Sequence, residues 1–145
     1  MSERFAFGLV GRNIAYSRSS EIFKAIFDTV GAMGRFEVHD VAPNQLRAIF
    51  ERLFGEGLQA VSVTIPYKSR VLEFVEAGDT IATALGASNS VVLGSGGFRG
   101  FNTDCYGFSL ALREHAEGLR GGRAVILGNG GGAKAAVYGC ARTAG

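Results

Sequence analysis

The chain has 145 residues, enough for one ordinary domain or for a small domain and part of another. Hydrophobic residues make up 47% of the chain and charged residues 19%, so it can bury a core and is not expected to be disordered. The net charge of +2 is too small to predict binding to nucleic acid or to a membrane surface.

Three apolar runs in the first 65 residues are typical of strands, and helical patterns separate them. The runs cover residues 5–10, 36–40 and 60–65. The resulting β-α-β-α-β order predicts a three-layer α/β fold, in which an open and mainly parallel sheet carries helices on both faces.

Two helices are predicted between these strands. The first begins near Ser19 and Ser20, whose hydroxyls can cap its free amides, and Gly31 ends it. Pro43 opens the second helix, which has apolar residues on one face and Gly55 beyond its end. Both helices can therefore pack an apolar face on the sheet.

The middle of the chain contains shorter patterns. They predict a short helix after Pro66, a turn of helix over residues 81–85, two hairpin strands over residues 88–93 and 98–101, a helix over residues 103–117 and a linker over residues 118–122.

Residues 121–145 predict the start of a second α/β unit. Residues 123–127 are an apolar run typical of a strand buried on both faces, and a glycine segment and an Ala-rich helix follow. Because a mononucleotide-binding half needs βαβαβ, we expect one complete domain followed by a truncated Rossmann-like segment.

Polar residues follow the first and third strands, where open α/β sheets bind ligands. Ser17 and Ser19 lie beside the free amides of a helix start, which suits a carboxylate, but taken alone the segment is more often a serine-rich cap and nothing more. Lys68 is expected in a first helical turn, where a cation is unfavourable by about 0.3–1 kcal/mol. Lys68 is therefore either a group that meets a substrate or a carboxylate, or a solvated surface lysine.

Asp104 is the candidate partner of Lys68. A carboxylate beside an amine tunes its proton affinity, and such a pair can act as general acid and base on a hydroxyl or carbonyl. The structural alternative is that Asp104 or Thr103 caps the next helix. Asn89, at a strand start, is either a turn residue or a donor to a substrate hydroxyl.

The glycine segment has the spacing of a dinucleotide-binding loop. Gly128, Gly130 and Ala133 follow G-x-G-x-x-A between a strand pattern and a helix pattern. Such a loop binds a pyrophosphate on backbone amides at a helix N-terminus. The residue that selects NAD or NADP lies about 20 residues further on, beyond Gly145, so these residues leave both cofactors open.

Three further classes of function are not expected. No apolar run approaches the roughly 20 residues of a membrane span. The N-terminal residues lack the features of a signal peptide, so we expect a cytoplasmic protein. Cys105 and Cys140 match no metal or redox motif, and no metal site is predicted.

Taken together, these motifs resemble the shikimate dehydrogenase family. Its pattern runs glycine, His-Ser-x-Ser-Pro, Asn-Val-Thr-x-Pro-x-Lys, Gly-Ala-x-Asn-Thr, Gly-x-Asn-Thr-Asp and Gly-x-Gly-Gly-Ala. This chain follows it in order over nearly its whole length, which corresponds to the family's N-terminal half. The resemblance implies an NADP-dependent oxidoreductase that reduces 3-dehydroshikimate to shikimate in aromatic amino-acid biosynthesis.

The resemblance also implies a role for each matching residue. The catalytic lysine is Lys68, which handles the proton of the C3 oxygen and is paired with Asp104. Ser17 and Ser19 hold the substrate carboxylate. The groups that bind the ring hydroxyls are Thr64, Asn89 and Asp104. The cofactor-binding residues are Gly128, Asn129, Gly130, Gly131, Gly132 and Ala133.

Several positions depart from the family pattern. Tyr16 replaces His, Ser20 replaces Pro, Ser62 replaces Asn and Ser90 replaces Thr, and the glycine loop has an extra Gly132. Ser62 matters most, because a shorter side chain at a ligand contact can change which ring hydroxyls are bound. Quinate and aminoshikimate therefore stay open as substrates.

We expect a substrate-binding domain over residues 1–102, a connecting helix and linker over residues 103–120, and the start of an NADP-binding domain over residues 121–145. The expected partners are a small-molecule substrate and either a C-terminal cofactor domain or a second copy of the chain. The chain alone is expected to be incomplete for turnover. The alternatives are a stand-alone module that binds shikimate or quinate, and an inactive fragment.

Overall fold

The computed structural model describes residues 4–113, 115–119 and 121–144. The strands are β1 (Arg4–Gly11), β2 (Met33–Asp40), β3 (Ala60–Val63), β4 (Glu76–Ala77), β5 (Ser90–Gly94) and β6 (Gly97–Phe101). The helices are α1 (Ser19–Val30), α2 (Leu46–Gly55), α3 (Thr80–Leu85), α4 (Asp104–Arg113), α5 (Ala116–Leu119) and α6 (Gly131–Ala144). Short 3-10 helices cover Pro43–Gln45 and Arg70–Glu73.

The strands form one sheet in the order β2-β1-β3-β5-β6-β4. β1 is parallel to β2 and β3, and β4 is parallel to β6, whereas β5 is antiparallel to both of its neighbours. Five of the six described strands therefore run in one direction, which confirms the predicted mainly parallel sheet. The carboxyl ends of β1, β2 and β3 meet at one edge, where such sheets bind ligands.

Helices cover both faces of this sheet. Phe7 of β1 contacts Phe23 of α1, with ring centroids 5.8 Å apart. Val10 of β1 belongs instead to a buried cluster with Phe50 of α2. Because side chains alternate along a strand, Phe7 and Val10 point to opposite faces, and each face has its own helix. This arrangement confirms the predicted three layers.

The ends of α1 and α2 differ in detail from the prediction. Gly31 ends α1 in the left-handed region, with φ of 66°, as expected. Ser19 and Ser20 do not cap α1, because they already lie within its first turn. The Ser17 hydroxyl accepts a hydrogen bond from the Ser19 amide at 3.2 Å instead. A 3-10 turn precedes α2, and Gly55 is the last residue of α2 rather than the residue beyond it.

The predicted hairpin is confirmed, since β5 and β6 are antiparallel and Gly94 pairs with Gly97. A short helix does follow Pro66, as predicted, but it is the 3-10 helix Arg70–Glu73, which turns precede and which ends before Phe74 and Val75. Strand β4 was not predicted, since two residues are too few to show a periodic pattern.

The C-terminal prediction is partly wrong. The helix predicted over residues 103–117 is two helices, α4 and α5, and residue 114 between them lies outside the described residues. The linker predicted over residues 118–122 starts inside α5, and residue 120 is likewise outside the described part.

Residues 123–127 do not form the predicted strand. Val125 is 84% exposed and Leu127 is 93% exposed, so the run is not buried either. A strand exists only by hydrogen bonding to a neighbouring strand, and none of the described residues pairs with this segment. The Ala-rich helix that follows is present as α6.

None of the helices in the described residues is long and apolar enough to cross a membrane. The same residues contain no cluster of three or more His, Cys, Asp or Glu side chains placed to hold a metal ion.

Candidate active site

Lys68 and Asp104 form an ion pair, although 36 positions separate them in the chain. The Lys68 Nζ atom donates to Asp104 Oδ2 at 2.6 Å, and the two side chains are 18% and 30% exposed. A charge-assisted bond in this half-buried setting is stronger than a surface ion pair. The predicted pair is therefore present, and both side chains keep some contact with solvent.

Asn89 fixes the second oxygen of the same carboxylate. Its Nδ2 atom donates to Asp104 Oδ1 at 2.8 Å and to Thr103 Oγ1 at 2.9 Å. Its Oδ1 atom accepts from the Thr103 amide at 2.8 Å. Asp104 thus has Lys68 on one oxygen and Asn89 on the other, which sets the plane of the carboxylate. Sequence reasoning missed Thr103 as a site residue, because it was considered only as a helix cap.

The backbone around Lys68 is anchored on both sides. The preceding residue, Tyr67, is fully buried and its hydroxyl donates to the carbonyl of Val41. The carbonyl of Lys68 accepts from the amide of Ser88 at 2.6 Å. Lys68 lies in a turn that precedes the Arg70–Glu73 helix, so the expectation that it occupies a first helical turn is wrong. The position of Lys68 is set by these backbone and Tyr67 contacts and by its bond to Asp104. A helix dipole plays no part in it.

Asp104 is the first residue of α4, where a negative charge is favourable. The cap of this helix is neither Asp104 nor Thr103, because Asn102 Oδ1 accepts from the Cys105 amide at 3.4 Å. The Asp104 carboxylate is therefore free to face Lys68. Burial raises the pKa of the adjacent Cys105 thiol, which keeps it neutral. Asn102, an asparagine three residues before Cys105, was the sequence feature from which this cap could have been predicted.

The serine segment lies at the carboxyl end of β1. The Ser17 and Ser19 hydroxyl oxygens are 3.0 Å apart and hydrogen-bonded. Asp40, at the end of β2, holds the segment by accepting from Arg12 Nη1 at 3.1 Å and from the Ile14 amide at 3.3 Å. These contacts give two adjacent hydroxyls at the start of α1, as the carboxylate prediction requires.

Thr64 connects the serine segment to the Lys68 turn. A Cβ atom on Gly11 would lie 2.6 Å from Thr64 Cγ2, so the two segments touch. The Arg12 amide also donates to the Ile65 carbonyl at 2.9 Å. Thr64 therefore lies against the end of β1, and among the described contacts none joins Ser17 or Ser19 directly to Lys68.

The glycine segment leads into α6, which begins at Gly131. Gly128 has φ of 115°, a conformation that favours glycine, and a Cβ atom on Gly130 or Gly132 would meet open space. The first amides of a helix have no partner within it. Asn129 and Ala133 lie in the same stretch. The residues present thus fit the phosphate-binding part of a dinucleotide site.

Sequence reasoning also missed Lys134, in the first turns of α6. Its Nζ atom donates to the Gly86 carbonyl at 3.1 Å and lies 3.4 Å from Ser69 Oγ. No motif identifies this contact, because the residues that meet are 48 and 65 positions apart.

An amine–carboxylate pair at the carboxyl edge of an α/β sheet, followed by a glycine loop that opens a helix, defines a ligand-binding α/β domain joined to the start of a nucleotide-binding unit. The model of one family, the shikimate dehydrogenase substrate binding domain, matches residues 9–91, which is more than half of the chain. The chain belongs to this family.

Individual relatives agree with the family match. The chain is 36% identical over 136 residues to the shikimate dehydrogenase (NADP(+)) of Caldanaerobacter subterraneus subsp. tengcongensis, covering 94% of this chain and 49% of that protein. It is 33% identical over 131 residues to the enzyme of the same name from Clostridium beijerinckii, covering 90% and 48%. The chain thus spans about half the length of the curated relatives it matches.

Solved structures show the same fold. Shikimate dehydrogenase 1 from Peptoclostridium difficile matches with a TM-score of 0.87 at 29% identity, covering 96% of this chain and 52% of that one. The enzyme from Thermus thermophilus, solved in complex with NADP(H) and shikimate, matches with a TM-score of 0.84 at 28% identity, covering 95% and 52%.

Proposed function

We propose that this chain is the substrate-binding half of an NADP-dependent shikimate dehydrogenase, which reduces 3-dehydroshikimate to shikimate. The observation that carries the proposal is the 2.6 Å pair of Lys68 and Asp104, oriented by Asn89 at the carboxyl edge of the sheet. The domain division at residues 102 and 120 is part of the same proposal. Relatives about twice as long as this chain support it.

Substrate recognition begins with the carboxylate. The hydroxyls of Ser17 and Ser19 lie together at the start of α1, where hydroxyl and amide donors favour an anion. Thr64 and Asn89, further along the same edge, bind the ring hydroxyls. Asn89 uses both of its amide protons on Thr103 and Asp104, and its Oδ1 accepts twice from Thr103, so binding a ring hydroxyl exchanges one of these bonds for a bond to substrate.

The proton step follows from the ion pair. Bound NADPH would supply the hydride that reduces C3 of the substrate, and the C3 oxygen then needs one proton. The Lys68 ammonium donates that proton to the C3 oxygen, and Lys68 regains a proton from water. Asp104 holds the ammonium in place and stabilises its charge, which is the usual role of a carboxylate beside a general acid. The reverse direction uses Lys68 as the base.

The start of the cofactor site is the glycine segment. The free amides at the N-terminus of α6 would bind the cofactor pyrophosphate, with Gly128 making the turn and Gly130 and Gly132 leaving room for phosphate oxygens. The proposal also includes a cytoplasmic location and a partner, either a C-terminal cofactor domain or a second copy. Relatives of about double length favour the first partner.

Calorimetric titration with shikimate tests the substrate assignment. We expect the chain to bind shikimate and the Ser17→Ala variant to bind it at least about tenfold more weakly, since it loses a hydrogen bond to a charged group. Ser95→Ala, in the hairpin turn between β5 and β6, is the matched control and should bind like the wild type. Absence of binding, or equal binding by all three proteins, would contradict the proposal.

A chimera tests catalysis. Residues 1–145 would replace the corresponding half of the Caldanaerobacter enzyme. The two sequences are 36% identical over the 136 residues that match. NADPH formation from shikimate should then be measurable and should fall at least about a hundredfold in Lys68→Met, with little change in KM. Shikimate binding by a folded chimera without turnover would favour the stand-alone binding module instead.

A further inference from the structure

Helix α6 starts in direct contact with the turn that carries Lys68. A Cβ atom on Gly131 would lie 2.8 Å from Lys68 Cβ, 3.1 Å from its Cδ and 3.5 Å from Ala87 Cβ. Glycine is therefore required at this position by the lysine stem, since any side chain would displace it. A Cβ atom on Gly130 or Gly132 would meet open space. At Gly131, unlike at Gly130 and Gly132, the absence of a side chain makes room for the side chain of Lys68.

Lys134 holds this contact together. It lies one helical turn beyond Gly131, and its ammonium donates to the Gly86 carbonyl at 3.1 Å, with Ser69 Oγ at 3.4 Å. Gly86 ends α3, with φ of 56°, and Ser69 follows Lys68 directly. Lys134 therefore bonds to the end of α3 and to the residue after Lys68, while Gly131 lies against the Lys68 side chain.

Elsewhere α6 packs against α4, where a Cβ atom on Gly139 would lie 2.6 Å from Phe108 Cδ1, so Lys134 supplies the polar link of α6 and not its whole attachment. Between α6 and residues 4–113, the side-chain hydrogen bonds made there come from Lys134 alone. The other polar contact of α6, between Arg142 and Tyr138, stays within the helix. By sequence alone, a lysine beside a glycine loop suggests a phosphate ligand, but here its ammonium is engaged by the Gly86 carbonyl.

We propose that Lys134 is a positioning residue, which holds the phosphate-binding start of α6 against the turn that carries Lys68. The inference rests on the proposed function, because hydride transfer requires the cofactor loop and the proton donor to keep a fixed relation. Gly131 has no side chain to displace Lys68, and the hydrogen bond from Lys134 to the Gly86 carbonyl holds α6 in this contact.

The lysine content of the chain makes the contact measurable by NMR. Its lysines are Lys24, Lys68 and Lys134, so labelling with 13C-lysine gives one set of signals for each. In the wild type we expect nuclear Overhauser effects between the Lys68 δ-methylene and the Gly131 α-protons. In Lys134→Met these effects should be lost, and the hydrogen-bonded amides of the second turn of α6, residues 135–138, should exchange about tenfold faster, as expected for one lost hydrogen bond.

The comparison variants separate positioning from general stability. Lys134→Arg keeps the charged donor and should restore both readouts, whereas Gly131→Ala should lose the effects with Lys134 intact. Lys24→Met removes an exposed lysine of α1, and Gly55→Ala fills open space at the end of α2, so neither should change α6.

The result that overturns the inference is a Lys134→Met protein that keeps the Lys68–Gly131 effects and the slow exchange. Failure of Lys134→Arg to restore them would also overturn it. Titration with inorganic pyrophosphate is the second arm: weaker binding by Lys134→Met with an unchanged contact would make Lys134 a phosphate ligand instead. None of these measurements uses shikimate. A failure of the positioning role can therefore be distinguished from a failure of the proposed function.

Discussion

Replacing Lys68 by Met and Asp104 by Asn, singly and together, measures how strongly the two side chains stabilise one another. Their Nζ and Oδ2 atoms are 2.6 Å apart, and the side chains are only 18% and 30% exposed. Hydrogen bonds that involve charged groups contribute about 1.5–3 kcal/mol. We expect a coupling free energy in this range, because water screens the pair only in part.

A second lysine–aspartate pair in the same chain is the control. Lys24 and Asp28 on α1 are 2.7 Å apart, but their side chains are 76% and 66% exposed. Exposed pairs four residues apart on a helix contribute about 0.3–0.5 kcal/mol. The same four-protein cycle on Lys24 and Asp28 should therefore give a small coupling energy, although the atoms and the distance are nearly the same.

The assay is urea unfolding of each protein, followed by circular dichroism at low salt and again at about 1 M salt, where the Debye length falls to about 3 Å. The Lys24–Asp28 coupling should vanish at high salt and most of the Lys68–Asp104 coupling should remain. If both pairs gave about 0.5 kcal/mol or less, burial would not be strengthening the Lys68 pair. The reasoning that makes it a preorganised acid–base pair would then be refuted.

Three further predictions concern other parts of the chain. Burial lowers the pKa of His39 from 6.5, so the unfolded chain takes up this proton first and stability should fall as the pH drops below 6.5. His39→Gln should remove that part of the pH dependence, measured by urea unfolding at two pH values. Gly11→Ala should destabilise the protein by about 1–3 kcal/mol, because its Cβ would lie 2.6 Å from Thr64 Cγ2. Ser62→Asn, which restores the family residue, should tighten shikimate binding in calorimetric titration.

Each of these has a matched control. His115→Gln changes an exposed histidine and should keep the wild-type slope with pH. Gly55→Ala adds a Cβ in open space at the end of α2, so a loss as large as that of Gly11→Ala would show that the close contact is irrelevant. Ser95→Asn adds the same side chain in the hairpin turn and should leave shikimate affinity unchanged.

The order of the first strands and helices could be predicted because local patterns determine it. The apolar runs of β1 and β3 and the apolar face of α2 are visible within about ten residues. The meeting of Lys68 with Asp104 is not local. It could be predicted because both residues matched a family motif, and because polar groups that follow the strands of an α/β sheet converge at its edge.

The errors share one physical cause. A local sequence pattern does not show which distant residues or strands a segment contacts in the fold. Residues 123–127 have the composition of a buried strand, yet Leu127 is 93% exposed, since no described strand pairs with them. The role of Lys134 was missed for the same reason, because its acceptor on Gly86 is 48 positions away. The capping errors at Ser19 and Asp104 are smaller, since a helix start can shift by a residue or two.

Two departures from the family pattern turn out to be neighbours. Ser62 of β3 and Ser90 of β5 are directly paired, and Val61 and Val91 beside them are buried in the α2 core. Because side chains alternate along a strand, the two serines point together to the opposite face. Directly opposed Cβ atoms lie about 4.5–5.5 Å apart. The Asn and Thr of the family pattern are thus replaced by serine, a smaller residue, at two positions that face each other, Ser62 and Ser90. We therefore expect Ser62 and Ser90 to act as a unit, so that restoring both residues changes ligand preference by more than the sum of the single changes.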